Sequence, residues 1–126
     1  MKLFSSLAMF TVLLLSLSAS ADFKTYTKEG YDAAIKSGGT VVVDFYADWC
    51  PTCKKQQPIL NEIVNTKGYE KVIAFKADYD NDKELKKSIK VSKQSTIVVF
   101  KGGKEVGRST GVTSKDELKK LIDTGL

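Results

Sequence analysis

Apolar and β-branched residues gather into three runs along this chain: TVVVDFY (Thr40 to Tyr46), KVIAFKA (Lys71 to Ala77) and STIVVFK (Ser95 to Lys101). Their length and composition predict strands. Between the first two runs the period changes, and Ile59, Leu60, Ile63 and Val64 fall on one stripe of a helix. An earlier short helix is expected to end at the glycines of KSGG (Lys36 to Gly39), where a left-handed cap is available. KGGKEVG (Lys101 to Gly107) reads as a hairpin turn into a short fourth strand. The chain closes with SKDELKKLI, in which Ser114 and Glu117 have the spacing of a capping box and Leu118, Leu121 and Ile122 form the apolar face. Strands alternating with helices, then a hairpin and a last helix, predict an α/β domain with a mixed sheet covered by helices on both faces.

One apolar run does not belong to that domain. Residues 1–21 carry a single positive charge at Lys2, an apolar stretch from Leu3 to Leu17 broken by serines, and the small triplet Ala19-Ser20-Ala21. This is the pattern of a secretory signal peptide cut after Ala21; a retained anchor needs about 20 consecutive apolar residues. The expected organisation is a leader, 1–21, and one domain, 22–126, in a periplasmic or secreted location. Of the 20 basic residues only Lys2 is in the leader, which leaves 19 against 15 acidic ones, a net charge of +4. These bases are spread through helix-like stretches such as Asn81 to Lys90, with no aromatic residues interleaved in a dense basic block, so no nucleic-acid partner is expected.

Candidate chemistry centres on DFYADWCPTCKKQQP (Asp44 to Pro58), which holds both cysteines and the one tryptophan of a chain without histidine. A structural zinc site draws about four ligands from cysteine and histidine, so this set would need carboxylates, an external ligand or a second copy of the chain. A purely structural disulfide suits an exported protein, but so short a bridge constrains the unfolded chain by only about 2 kcal/mol. Thiol-disulfide exchange explains more. If the strand ends near Ala47 and a helix starts at Pro51, a favoured first position for proline, Cys50 sits at the helix N-terminus, where free N–H groups and the dipole favour a thiolate. Cys53, one turn further in, is more enclosed. Cys50 is then the nucleophile and Cys53 the resolving thiol.

Asp44 interrupts an apolar strand. Either the strand is half exposed there and the carboxylate faces water, or it is buried with a raised pKa. In the second case it can take the proton of Cys53, and Lys76, expected to point inward from the next strand, is its charge partner. Trp49 is either plain core or, beside Cys50, an apolar wall at the rim of the site. Pro58 lies within the helical pattern and should kink it.

With these residues in place, Val41 to Ile63 resembles the strand, Trp-Cys-x-x-Cys motif and kinked helix of the thioredoxin family, including a matching aspartate at Asp44 and proline at Pro58. Phe75 to Asp82 is similar to the following strand, with Lys76 at the family's lysine, and Ser95 to Ile122 resembles the final hairpin and helix. The resemblance implies the thioredoxin fold, a dithiol/disulfide cycle between Cys50 and Cys53 with no other cofactor, and disulfide-containing proteins as substrates. With the leader, it is similar to exported members fed by a membrane electron-relay thiol protein; a monomer is expected. The substrate-binding positions implied are Trp49, Pro51, Thr52, Gln94, Ser95 and Thr96.

Two departures from the family pattern matter. Pro51-Thr52 stands between the cysteines in place of Gly-Pro, and this dipeptide tunes the potential. Ser95 stands where the family has a cis-proline. A cis bond before any other residue costs about 2.5 to 4 kcal/mol, so a trans Gln94–Ser95 bond is expected, with weaker substrate docking, more open thiols and a hydroxyl available to a sulfur. Protein-disulfide reduction is the first expectation; an oxidant or isomerase on the same fold and a redox-inert binding module are the alternatives.

Overall fold

The computed structural model describes residues 22–126; the expected leader and its cleavage point after Ala21 lie outside the described residues. In chain order they form β1 (Lys24–Thr25), α1 (Lys28–Ser37), β2 (Thr40–Tyr46), α2 (Pro51–Val64), β3 (Ile73–Asp78), α3 (Lys83–Ser88), β4 (Thr96–Lys101), β5 (Lys104–Thr110) and α4 (Lys115–Asp123). The strands form one sheet in the order β1-β3-β2-β4-β5. β2 pairs parallel with β3 and antiparallel with β4, and β5 closes the hairpin. This is the thioredoxin fold, a mixed sheet between two layers of helix.

The alternation of β2 sorts the core. Val41, Val43 and Phe45 face Phe75, Leu85 and Val98 on the side of α1 and α3, while Val42 faces Leu60, Ile63, Leu118 and Ile122 on the side of α2 and α4. Asp44, two residues beyond Val42, therefore lies on the α2 side of the sheet. Every residue from Thr40 to Phe45 is buried, the signature of a strand covered on both faces.

Local signals set the ends of the elements. Gly38 caps α1 at φ 76°, and the β4–β5 turn places Gly102 and Gly103 at φ 60° and 75°, the paired left-handed residues of a two-residue hairpin. Ser114 accepts the Glu117 amide at the start of α4. α2 runs as a single helix through Pro58.

Two boundaries and one element differ from those expected. β3 starts at Ile73 because Lys71 and Val72 belong to a turn closed by Val72 N–H to the Tyr69 carbonyl at 3.0 Å; Val72 is buried without being in a strand. β4 starts at Thr96 because Ser95, at φ 58°, is not extended. β1 was not expected at all: it is two exposed residues on the edge of β3, with no apolar alternation to reveal it.

Candidate active site

The turn from β2 into α2 delivers the cysteines. Cys50 donates its N–H to the Ala47 carbonyl at 3.1 Å and acts as N-cap of α2, its Sγ accepting the Cys53 amide at 3.1 Å. Pro51 occupies the first helical turn, exposed, and Thr52 is half-buried. Both thiols are free in this structure, with Cys50 2% and Cys53 0% exposed. The expectation of more open thiols is thus overturned.

The reason lies in the loop before β4. The Ser95 N–H donates to the Phe45 carbonyl at 2.9 Å, and that same carbonyl receives the Cys53 thiol at 3.9 Å. A left-handed serine pins the loop against the end of β2 without a proline. No peptide bond among the described residues is cis, so Gln94–Ser95 is trans, as expected. The Cys53 thiol donates to this backbone carbonyl, and the Ser95 hydroxyl makes no hydrogen bond to it.

Burial pushes the Cys53 thiol up to about 12, with its contact to Cys50 and the nearby Asp44 charge adding to the rise. Asp44 is fully buried, which decides between its two sequence readings. Neither carboxylate oxygen has a hydrogen-bond partner. Burial raises its pKa to about 7, a rise that the Lys76 charge only partly offsets. A carboxylate adapted to titrate near neutrality thus lies within electrostatic reach of a thiol that gives up its proton reluctantly.

Lys76 corrects the expectation of an inward side chain. It is in register with Asp44 but exposed. Its ammonium lies 4.1 Å from the centre of the Tyr46 ring, at a cavity of about 430 Å³ also lined by Asp48, Asp78 and Asp80. It makes no ion pair with Asp44; its influence is through space. Trp49 is 58% exposed and so is no core residue. Its Nε1–H donates to Asp80 at 2.8 Å, and its ring meets Tyr79 edge to face at 6.5 Å. Tyr79 in turn packs against Ala47, Cys50 and Cys53 and donates its hydroxyl to the Ser92 carbonyl at 2.9 Å.

Gln94 is half-buried beside Ser95. Thr96, by contrast, turns its hydroxyl into the structure, onto the Lys93 carbonyl at 2.7 Å and toward the Thr110 hydroxyl at 2.9 Å. Two residues near the thiols escaped sequence reasoning. One is Tyr79. The other is Gln56, fully buried, which donates to the carbonyls of Ser95 at 3.2 Å and Val112 at 2.8 Å. A signal existed for it: Gln56 stands with Cys53, Leu60 and Ile63 on the buried face of α2, a polar residue in an apolar stripe. Among the described residues no group of three or more histidine, cysteine or acidic side chains is placed to hold a metal ion.

The chain is similar to known proteins. A family model described as Thioredoxin matches residues 22–124. Thioredoxin from Chlamydia muridarum is 41% identical over 86 residues, which cover 68% of this chain and 82% of that protein. Thioredoxin from Chlamydia trachomatis is 38% identical over 96 residues, covering 76% of this chain and 91% of its own. Among solved structures, Trxlp from Edwardsiella tarda superposes with a TM-score of 0.76 at 36% identity, over 78% of this chain and 95% of that one.

Proposed function

The chain belongs to the thioredoxin family, and from that premise we propose that it is an exported thiol-disulfide oxidoreductase that reduces disulfides in proteins. The observation that carries the reading is the placement of Cys50 at the mouth of α2 with Cys53 and the unpartnered Asp44 buried behind it.

The Cys50 thiolate attacks one sulfur of a substrate disulfide. A Cys50–substrate S–S bond forms, the substrate S–S bond breaks, and the first substrate sulfur leaves as a thiolate that takes a proton. The Cys53 amide donates to Cys50 Sγ where charge is held before attack. Asp44 then accepts the Cys53 proton, a role for which a carboxylate with a pKa of about 7 is suited at neutral pH. The Cys53 thiolate attacks Cys50 Sγ, the Cys50–Cys53 disulfide forms, and the second substrate thiol departs with a proton. Two electrons and two protons pass from the dithiol to the substrate. The cycle closes by exchange with an external dithiol, which in an exported location is a thiol protein of a membrane electron relay.

The test is covalent trapping in a bacterial host that expresses the full chain. Cys53→Ala should accumulate mixed disulfides through Cys50, whereas Cys50→Ala should accumulate none; equal trapping by both variants would sink the assignment. The same cells report the location, since adducts are expected in the exported fraction with a mature N-terminus at Asp22, and adducts confined to the cytoplasm with residues 1–21 still attached would remove the export reading.

A further inference from the structure

Gln56 is a poor choice for stability alone. Its position on α2 is fully buried among Cys53, Leu60 and Ile63, its Oε1 has no hydrogen-bond partner, and a buried acceptor left unpaired is costly. An apolar side chain of similar volume would fill the stripe without that cost. What Gln56 adds is its amide nitrogen, which donates to two carbonyls on two different loops: Ser95, before β4, at 3.2 Å and Val112, after β5, at 2.8 Å.

Those loops flank the thiols. The Ser95 carbonyl also accepts the Gly111 N–H at 3.0 Å, and the Ser95 N–H reaches the Phe45 carbonyl that the Cys53 thiol shares. Ser95 itself is left-handed, at φ 58°, a conformation that a serine keeps only where its surroundings over-determine it. With the Lys93 carbonyl engaged by the Thr96 hydroxyl and both backbone groups of Ser95 engaged, the N–H and C=O of half-buried Gln94 are left without protein partners among the described residues. A free backbone edge beside two thiols is a place for an extended segment to pair.

We infer that Gln56 is a positioning residue. By holding the Ser95 and Val112 carbonyls from beneath, it fixes the Gln94 edge against which the polypeptide around a substrate disulfide docks, and so sets the preference for protein over small disulfides. This rests on the oxidoreductase reading above. Gln56 touches neither sulfur in the role assigned to it; it acts through the two loops.

The experiment compares reduction of insulin with reduction of a small symmetrical disulfide, 2-hydroxyethyl disulfide, by the wild-type protein and by Gln56→Met, which keeps the volume and removes the donor. KM for insulin should rise about tenfold with kcat within about twofold, the signature of lost ground-state binding. The insulin-to-small-disulfide ratio of kcat/KM should fall about tenfold, equivalent to about 1.4 kcal/mol. An unchanged insulin KM, or an equal fall for both substrates, overturns the inference. Gln56→Leu is run beside it with circular dichroism on both variants; if neither folds, Gln56 is a core residue and the inference fails. A wild-type protein that reduces neither disulfide overturns the oxidoreductase reading instead, so the two failures are distinguishable.

Discussion

At the scale of a residue, Asp44 holds a deprotonation that folding makes costly. Its carboxyl is raised from an ordinary 3.8 to about 7 in the folded protein, so the unfolded chain releases this proton first. Between about pH 4 and pH 7 the folded state binds more protons, and stability falls as pH rises through that window. Asp44→Asn removes the dependence. The variant should therefore be more stable than wild type above pH 8, by on the order of 4 kcal/mol for a shift of this size, and the difference should vanish near pH 4; urea unfolding across pH measures it, and a constant difference would mean that Asp44 is not the titrating group. The same substitution should slow resolution of the mixed disulfide by about 100-fold, the low end of general acid-base effects, and slow the first attack less. The sequence showed that an aspartate interrupts an apolar strand, but not whether it was covered. Coverage depended on helices closing over both faces of β2 as far as Asp44, a tertiary fact.

At the scale of an element, the loop into β4 shows where the pattern stopped being informative. The apolar run from Thr96 to Lys101 was legible, and so was the trans bond at Ser95. The left-handed turn was not, because no side-chain rule marks a serine for φ 58°; the partners that hold it, Phe45, Gly111 and Gln56, are remote in sequence. That geometry also alters what proline at this position would do. From sequence alone, restoring it should strengthen substrate reduction. In the folded protein, proline is fixed near φ −65° and has no N–H, whereas Ser95 is at φ 58° and donates to Phe45 at 2.9 Å. Ser95→Pro should therefore lower stability, on the order of 2 kcal/mol for the lost hydrogen bond and the forced backbone change. Ser95→Gly, which adopts positive φ freely, should unfold at the same temperature as wild type or above it. The expected order of thermal stability is Gly, then Ser, then Pro. A proline variant as stable as wild type would show that the loop rebuilds around it.

At the scale of the molecule, the sheet with its two apolar layers could be read from periodicity because β2 is apolar on both faces from Val41 to Phe45 but for Asp44, and α2 and α4 carry regular stripes. The direction of electron flow depends instead on how the whole fold receives the two redox states. A thermodynamic cycle links them: the difference in folding stability between oxidised and reduced protein equals the difference between the pair's potential in the folded and unfolded chain, about 1.4 kcal/mol for each 30 mV. A strong oxidant stabilises its reduced form. Here Cys53 is 0% exposed and burial pushes its thiol up to about 12 beside Asp44, so the pocket disfavours a Cys53 thiolate on balance and suits a neutral disulfide. The short loop closed by the bridge adds about 2 kcal/mol through the unfolded chain. The oxidised protein should melt higher than the reduced one by roughly 10 °C at the usual few degrees per kcal/mol for a domain of this size. Its potential should then lie well below the about −120 mV of a strong periplasmic oxidant. Calorimetry of the two forms at pH 7 decides the matter. A reduced form that melts higher would mark an oxidant, and would reverse the direction of the reaction proposed above while leaving the roles of Cys50 and Cys53 in place.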